Sequence, residues 1–473
     1  MKISELIDVI GDSGTRVIGE EGNVEISSVS MDSRAVEEGG LFCCIRGERF
    51  DGHEFASAAI EGGAAALMVE HVIPGLPDAV PQIVVVDSRR AIGPVAARFA
   101  GDPSHHMTVV GITGTNGKTT TTHLLAAILR ASGRRTEVLG TLQGLHTTPE
   151  APLLQSTLAS MRKRSVDAVA MEVSSHALSF ERVGGMHFAA AVFTNLSRDH
   201  LDFHGTMENY YAAKARLFVP ELSDLGVVNS DDPFGQRLLH DPSIRLVPFG
   251  RTDAHNVEVS VFAHEYDWDG QHIRVDIGGH LNVYNSVAAA TVARELGIPG
   301  RQIADGLASA GPVPGRFERI DEGQNFTVLV DYAHTPDGLS EVLRSVRAIP
   351  GIGRVIVVFG CGGDRDKMKR PMMGEVAVSL ADLVIVTSDN PRSEDPEAII
   401  ASIVAGVPDH MRHRLWASRP DRAQAISAAV KLARNGDVVL ITGKGHETTQ
   451  TVGLEALPFD DRVVARDILR SSR

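Results

Sequence analysis

Apolar residues along the 473-residue chain fall into runs that predict alternating strands and helices. Two runs in the middle of the chain, 167–173 and 188–194, are apolar at nearly every position. Strands of this kind are typical of parallel sheets that helices cover on both faces. A third run, 108–113, precedes a glycine-rich turn and a helical pattern at 121–132. The middle of the chain is therefore predicted to be an α/β domain with a parallel sheet.

The C-terminal part of the chain alternates more regularly. Helical stretches separate four predicted strands, at 326–330, 354–359, 383–387 and 438–442. Asp395-Pro396 predicts the start of a helix at 397–404, and Asn435-Gly436 predicts the end of the helix before the last strand. This order predicts a doubly wound, Rossmann-like α/β fold.

Two turn-forming segments divide the chain into three predicted domains. Residues 101–104 combine Gly, Asp, Pro and Ser, and residues 311–315 form a proline-glycine linker. We therefore predict an N-terminal domain of residues 1–106, a central domain of residues 107–313 and a C-terminal domain of residues 314–473.

The turn after the 108–113 run predicts a phosphate-binding loop. Strand, glycine-rich turn and helix would place backbone N–H groups around phosphate oxygens, with Lys118 adding charge and Thr119 a hydroxyl for Mg²⁺. Ile112 stands where the common spacing has its first glycine. A purely structural turn would not explain Lys118 among threonines at the helix start, so ATP and Mg²⁺ are the predicted cofactors. The loop residues are Gly114, Thr115, Asn116, Gly117, Lys118, Thr119 and Thr120.

Three further residues are candidates for catalysis. Glu172 ends an apolar strand and is a candidate Mg²⁺ ligand, with a surface glutamate as the alternative. His200 lies in a segment rich in acids, and both a catalytic and a structural role stay open. Lys214 lies in an apolar helical context, and the residues alone favour a surface lysine whose stem covers apolar surface.

Four polar, glycine-bearing segments follow the strands of the C-terminal part, at the edge where open parallel sheets bind ligands. Among them, Arg392 offers a guanidinium fork for a carboxylate, and Glu447 offers an acceptor for an ammonium group. Together they suit a zwitterionic amino acid. The alternative is an internal ion pair between the two side chains.

The composition narrows the classes of partner. A net charge of −14 argues against nucleic acid. No apolar run approaches the roughly 18 residues of a membrane helix, and residues 1–8 carry acids where a signal peptide would be apolar. Three cysteines, two of them adjacent, make a poor disulfide set, so a cytoplasmic protein is expected.

With these motifs, the chain resembles the Mur ligases, the ATP-dependent ligases that build the bacterial cell-wall peptide. The resemblance covers nearly the whole length and rests on four anchors, at 114–120, 172–176, 195–214 and 360–447. It implies that the three domains bind, in chain order, the UDP end of the substrate, ATP and the incoming amino acid. It also implies amide formation on UDP-MurNAc-L-Ala-D-Glu through an acyl phosphate, by an enzyme expected to be a monomer.

The resemblance also implies residue roles. Lys214 matches the lysine that family members carbamylate, which reverses the surface interpretation, because a carbamate is a Mg²⁺-binding anion; Thr119, Glu172 and carbamylated Lys214 would hold the metal. The implied nucleotide contacts are Asn282, Asn285, Arg316 and Asp331. The implied contacts to UDP-MurNAc-dipeptide are Ser33, Thr147, Thr148, Ser174 and Arg182.

For the amino acid, the segment Asp389-Asn390-Pro391-Arg392 matches the family motif associated with meso-diaminopimelate. This substrate has a second carboxylate that lysine lacks, and an unpaired buried Arg392 would penalise lysine by several kcal/mol. The remaining matches are Arg365, Gly443 and Glu447. A lysine-adding ligase, a folylpolyglutamate-type ligase and a non-catalytic nucleotide-dependent scaffold remain alternatives.

Two positions depart from the family pattern. His146, in a short loop at 140–146, stands where many relatives have asparagine, and Phe180 stands where several have a substrate-contacting glutamine.

Overall fold

The computed structural model describes residues 1–11, 13–19, 24–47, 50–144 and 146–471. Leu145, in the predicted short loop, lies outside these residues. The chain is mixed α/β, and two large sheets are parallel or nearly so, which confirms the predicted fold class. Within the described ranges, no helix is both long enough and apolar enough to cross a membrane.

The N-terminal block is built on a sheet in which one edge strand, β1, runs antiparallel to its neighbour. Its elements are α1 (Ile3–Ile10), β1 (Arg16–Ile18), β2 (Val29–Ser30), β3 (Gly40–Cys43), α2 (Ala56–Glu61), β4 (Ala64–Val69), β5 (Gln82–Val84) and α3 (Ser88–Phe99). The strand order is β1-β5-β4-β3-β2. Strand side chains alternate between two buried clusters, with Leu41 in one and Phe42 in the other.

The middle block is built on a parallel sheet with the order β11-β10-β9-β6-β8-β7. Its sheet strands are β6 (Thr108–Thr113), β7 (Thr136–Leu139), β8 (Ala168–Glu172), β9 (Ala190–Phe193), β10 (Leu225–Asn229) and β11 (Arg245–Phe249). Val110 faces one buried cluster and Val109 the other, which explains why these strands are apolar on both faces.

Helices cover the two faces of this sheet. They are α4 (Lys118–Ala131), α5 (Ala151–Lys163), α6 (Ser175–Ser179), α7 (Leu201–His204), α8 (Met207–Ala215), α9 (Pro233–His240), α10 (His280–Glu295) and α11 (Gly300–Ala308). An antiparallel meander of β12 (His255–Val259), β13 (His264–Trp268) and β14 (Gln271–Val275) joins the same core through Tyr266 and Trp268.

The C-terminal block has the order β15-β16-β20-β17-β18-β19, and only its edge strand β15 is antiparallel among these. Its strands are β15 (Glu318–Ile320), β16 (Thr327–Asp331), β17 (Val355–Phe359), β18 (Leu383–Thr387), β19 (Leu415–Arg419) and β20 (Val438–Thr442), with a hairpin of β21 (Thr449–Val452) and β22 (Glu455–Pro458). Its helices are α12 (Pro336–Arg347), α13 (Lys369–Leu380), α14 (Pro396–Val404), α15 (Arg422–Leu432) and α16 (Asp461–Ser471).

Three local predictions need correction. Helix α4 begins at Lys118 rather than residue 121, because the Gly117 carbonyl accepts the Thr121 N–H at 2.9 Å and closes the first turn. Helix α15 ends at Leu432, so the Asn435-Gly436 pair lies in the following turn and does not stop the helix. The 311–315 linker is partly packed, since Val313 is buried in the core of the middle block.

Candidate active site

The loop between β6 and α4 brings its backbone against two asparagines. Gly117 has φ +83° and directly precedes helix α4, and a Cβ there would clash with Asn285 Oδ1. Asn116 N–H donates to Asn195 Oδ1 at 2.9 Å. Glycine at 117 therefore permits both the left-handed turn and the close approach of α10. The free N–H groups at the start of α4 are the groups that bind phosphate in such loops.

Lys118 lies across this loop. Its ammonium donates to the carbonyl oxygens of Gly114, at 2.9 Å, and Thr115, at 2.8 Å. Burial lowers the pKa of Lys118, and the nearby Glu172 carboxylate opposes that shift. The Lys118 ammonium therefore lies on the loop where a bound phosphate oxygen would contact it.

Glu172 is buried at the end of β8, so the surface interpretation is wrong. Its Oε2 accepts hydrogen bonds from the hydroxyls of Thr119, at 3.0 Å, and Thr141, at 3.2 Å. Arg316 Nη2 donates to the same Thr119 hydroxyl at 3.0 Å. Carboxylate and hydroxyl oxygens are ligands that Mg²⁺ prefers, so this pair fits the metal. No described group of three or more His, Cys, Asp or Glu side chains could hold a metal by itself.

Lys214 is buried beneath the loop, so its surface interpretation is also wrong. Its Nζ donates to Gly114 O at 2.9 Å, the carbonyl that Lys118 also contacts. Burial and the Lys118 ammonium lower the pKa of Lys214 well below its usual value. Such a lysine is neutral far more readily than a surface lysine.

His200 directly precedes helix α7 and has φ +52°. Its Nε2 lies 3.4 Å from Asp199 Oδ2, and His334 of the C-terminal block faces the same carboxylate at 3.9 Å. Burial lowers the pKa of His200 to about 4, although Asp199 opposes the shift. The imidazole is therefore neutral at neutral pH.

The residues expected to contact the dipeptide part of the substrate meet at Thr148. The Thr148 hydroxyl donates to Glu172 O at 2.9 Å and accepts from Ser174 N–H at 3.1 Å. Arg182 donates to Thr148 O at 3.1 Å and pairs with Glu150 at 2.7 Å. The Thr147 hydroxyl lies 3.1 Å from that of Thr141. This cluster therefore adjoins the candidate metal ligand.

A cavity of about 560 Å³ lies between the middle and C-terminal blocks. Across it, Arg198 N–H donates to Asp337 Oδ2 at 3.2 Å, so both blocks bound the same space. On the middle block, Asn285 Nδ2 donates to Asn282 Oδ1 at 2.9 Å. The expected nucleotide contacts that line the cavity are Thr115, Asn116, Gly117, Lys118, Thr119, Thr120, Asn282, Asn285, Arg316 and Asp331.

At the edge of the C-terminal sheet, hydrogen bonds join the loop after β20 to the loop after β18 and to the end of β16. Asn390 Nδ2 donates to Glu447 Oε2 at 2.8 Å, and Gly443 N–H donates to Asp331 O at 3.2 Å. Burial raises the pKa of Asp389, and the nearby Arg422 and Lys444 oppose the shift.

Arg392 has φ +51°, a conformation that non-glycine residues adopt rarely and at a cost of about 1–3 kcal/mol. The β21–β22 hairpin holds it there: Arg392 N–H donates to Thr451 O at 3.0 Å, and Gly453 N–H donates to Arg392 O at 2.7 Å. Its guanidinium donates to Gly363 O at 2.7 Å. Within the described residues Arg392 makes no ion pair with Glu447, so that alternative is wrong. Arg365 is exposed and donates to Asp364 O at 3.2 Å.

Comparison with known proteins fits this geometry. Residues 25–100 match the Mur ligase family catalytic domain, residues 112–293 the Mur ligase middle domain, and residues 315–445 the Mur ligase glutamate ligase domain. The chain belongs to the Mur ligase family.

The chain is similar to curated relatives named UDP-N-acetylmuramoyl-L-alanyl-D-glutamate–2,6-diaminopimelate ligase. The protein of Syntrophomonas wolfei is 45% identical, with 94% of this chain and 95% of that one covered. The protein of Geobacillus thermodenitrificans is 44% identical, with 96% of each covered. A solved structure of the same name is 34% identical, with a TM-score of 0.66 and 94% and 95% coverage.

In this Mur ligase, the residues expected to contact the substrate do not all lie together. Ser33 lies in the N-terminal block, at the start of a short 3-10 helix. Phe180 lies near two guanidinium groups, with Arg89 Cζ at 4.9 Å and Arg182 Cζ at 5.7 Å from its ring centre. Arg89 belongs to the N-terminal block and Arg182 to the middle block. Phe180, which departs from the family pattern, therefore lies against side chains of both blocks.

Sequence reasoning missed several buried cations of this Mur ligase, among them Arg422 and Lys444. Arg422 pairs with Asp461 at 2.7 Å and donates to Ser388 O and Thr442 O, the residues that end strands β18 and β20 or directly follow them. Lys444 lies below Glu447. Lys444 and Glu447 both lie in the 443–447 segment, but the second partner of Lys444, Asn390, is distant in sequence.

Proposed function

We propose that this Mur ligase adds meso-diaminopimelate to the γ-carboxylate of D-glutamate in UDP-MurNAc-L-Ala-D-Glu, with conversion of ATP to ADP and phosphate. The observation that carries the proposal is the Arg392 loop at the edge of the C-terminal sheet, in a chain 45% identical to a relative named for this reaction. A guanidinium there suits the second carboxylate of diaminopimelate.

The first step activates the acceptor carboxylate. A γ-carboxylate oxygen of D-glutamate attacks the γ-phosphorus of ATP, ADP leaves, and an acyl phosphate forms. Lys118 and the N–H groups at the start of α4 would stabilise the charge on the transferring phosphoryl group. Thr147, Thr148, Ser174 and Arg182 would hold the acceptor, since their cluster adjoins Glu172.

Thr119, Glu172 and carbamylated Lys214 would hold Mg²⁺. When bound, Mg²⁺ supplies positive charge that offsets the phosphate oxygens. Carbamylation is supported by the burial of Lys214, because a neutral amine reacts with CO₂ and an ammonium does not.

The second step forms the amide. The neutral amine of diaminopimelate attacks the acyl carbon, the bond from that carbon to the phosphate oxygen breaks, and the nitrogen loses a proton to solvent as phosphate leaves. Arg392, Arg365 and Glu447 would orient the amino acid, with Asp389, Asn390, Pro391 and Gly443 shaping the loops. With a pKa of about 4, His200 is a weak base at neutral pH, and we assign it a hydrogen-bonding role near the phosphates.

We propose three domains, at residues 1–106, 107–313 and 314–473, because each large sheet lies within one of these ranges.

A chain of contacts joins the proposed ATP site to the proposed amino-acid site. Arg316 donates to Thr119, and its Cζ lies 4.3 Å from the centre of the Tyr332 ring. The centre of that ring is 5.1 Å from the centre of the His446 ring. Closure of the third domain over ATP would exclude water from the acyl phosphate. We also propose that the enzyme is cytoplasmic, where ATP is available, and monomeric.

The test is phosphate release with ATP, Mg²⁺ and UDP-MurNAc-L-Ala-D-Glu, run in parallel with meso-diaminopimelate and with L-lysine. We expect release with diaminopimelate and at least about 100-fold lower kcat/KM with lysine, because lysine offers the Arg392 guanidinium no carboxylate. Equal release with lysine would overturn the specificity. Release with neither amine would favour another amide ligase or a scaffold.

Replacing Arg392 with methionine should lower kcat/KM for diaminopimelate about 30- to 100-fold, the loss typical of a charged hydrogen-bond partner. The already low value for lysine should change little, because lysine has no second carboxylate to pair. The matched control is Arg347→Met, which removes a surface arginine paired with Asp382 at the start of β18, away from the loops. Equal losses with both amines would contradict the assignment.

A further inference from the structure

Lys444 is a lysine with a fully buried side chain, below the loop that carries Glu447. Its Nζ donates to Glu447 Oε2 at 3.0 Å and to Asn390 Oδ1 at 3.1 Å. Asn390 Nδ2 donates to the same Glu447 oxygen at 2.8 Å. An ammonium and an amide thus hold one carboxylate oxygen from two sides.

The orientation of the Asn390 amide follows from its partners. Its Oδ1 receives two donors that cannot accept, the Lys444 ammonium and the Thr451 backbone N–H at 2.9 Å. A flipped amide would place an NH₂ group against both donors. Asn390 Nδ2 must therefore face Glu447, and Lys444 is one of the two groups that fix it there.

The second carboxylate oxygen of Glu447, Oε1, accepts no hydrogen bond from the described residues. The Glu447 side chain is 31% exposed, and Oε1 is not among the buried polar atoms that lack a partner. One oxygen is thus held by the protein and the other is accessible to a ligand. Burial alone would raise the pKa of Glu447, but Lys444 and Asn390 outweigh it and keep the carboxylate ionised.

We propose that Lys444 is a positioning residue for the amino-acid substrate, acting through Asn390 and Glu447 so that Glu447 presents Oε1 to an ammonium group. The proposal rests on the proposed function, in which Glu447 binds diaminopimelate. Lys444 itself does not touch the substrate, because its side chain is fully buried. Its loss should therefore affect the KM for the amino acid and leave phosphoryl transfer intact.

Replacing Lys444 with methionine, which is one atom shorter and fills a similar volume, should raise the KM for diaminopimelate about tenfold or more, since a charged hydrogen-bond network is lost. The KM for ATP, the KM for UDP-MurNAc-L-Ala-D-Glu and kcat should stay within about threefold. The control is Arg354→Met, which removes a cation paired with Asp437 at 2.6 Å, at the opposite end of the sheet strands. It should lower thermal stability without changing the KM for diaminopimelate.

A double-mutant cycle separates positioning from general destabilisation. Lys444→Met, Glu447→Gln and the combined variant are compared by their KM for diaminopimelate. If Lys444 acts through Glu447, its replacement in the Glu447→Gln background should add less than about threefold, because coupled residues are not additive. Multiplied losses, or an equal rise in the KM for ATP, would overturn the proposal.

A second variant and a wild-type assay separate the remaining outcomes. If Lys444→Met melts too low to assay, Lys444→Gln keeps a donor on a shorter side chain and should show a smaller rise in the KM for diaminopimelate; an unchanged KM in this variant would overturn the proposal. The wild-type enzyme is assayed beside each variant with both amines. Wild-type turnover with lysine alone would reject the proposed function, whereas normal wild-type turnover with an unaffected Lys444→Met enzyme would reject only the positioning role.

Discussion

Replacing Lys118 with methionine is expected to lower phosphate release at least about 1,000-fold, the scale seen when a charged group that stabilises phosphoryl transfer is removed. The ammonium is held against the Gly114 and Thr115 carbonyls, on the loop that would surround the phosphates. Methionine fills a similar volume but carries no charge and donates no hydrogen bond. The measurement is steady-state phosphate release with all three substrates.

The fold should survive this change, because the Lys118 side chain bonds only to carbonyl oxygens of its own loop among the described hydrogen bonds. We expect a melting temperature within a few degrees of the wild type. Lys163→Met serves as the control, since Lys163 is exposed at the end of α5 and should tolerate the change. Residual turnover above about one tenth of the wild-type rate would remove Lys118 from the catalytic machinery.

The strands that carry the candidate site could be predicted from the sequence because burial on two faces leaves a local signature. The run 383–387 is apolar apart from its last residue, Thr387, and the strand has those bounds. The polar segments that follow such strands meet at one edge in any parallel sheet. The loops with Asp331, Arg392 and Glu447 could therefore be placed together before any distance was known.

The start of α4 was predicted three residues late for a physical reason. Threonine is a poor helix former, so the run Thr119-Thr120-Thr121 favours a non-helical segment. In the structure these threonines are buried, and Thr119 and Thr121 bind Glu172 and Asn285. Tertiary contacts thus stabilise a first turn that local propensity disfavours.

The buried cations could not be predicted from the sequence for a different reason. Lys444 binds Asn390, which is 54 residues away, and Arg422 binds Asp461, which is 39 residues away. Nothing in the residues around Arg422 distinguishes it from a surface arginine at the start of a helix. Only the fold brings Asp461 to Arg422, and an unpaired buried charge would cost several kcal/mol. Lys444 has a carboxylate three residues away in Glu447, but its burial and its bond to Asn390 depend on the fold.

The burial of Lys214 also could not be predicted from the residues around it. Replacing Lys214 should cause the second large loss of turnover. The residues around it suggested a surface lysine, yet its ammonium binds Gly114 O, 100 residues away. Lys214→Met should lower turnover at least about 1,000-fold, because it would remove the proposed carbamate, which would help to hold Mg²⁺. The measurement is again phosphate release, with melting temperature as the check on folding.

The decisive comparison is Lys214→Arg, which keeps a positive charge and cannot be carbamylated. If the ammonium were the working form, arginine would retain much of the activity, since the hydrogen bond to Gly114 O needs only a donor. We expect a loss as large as that of methionine, together with wild-type activity that falls when dissolved CO₂ is removed and recovers when bicarbonate is restored. A ¹³C NMR carbamate signal from labelled bicarbonate should appear in the wild type and be absent from both variants. Turnover of Lys214→Arg within about tenfold of the wild type would show that positive charge suffices, and the metal site would then rest on Thr119 and Glu172 alone.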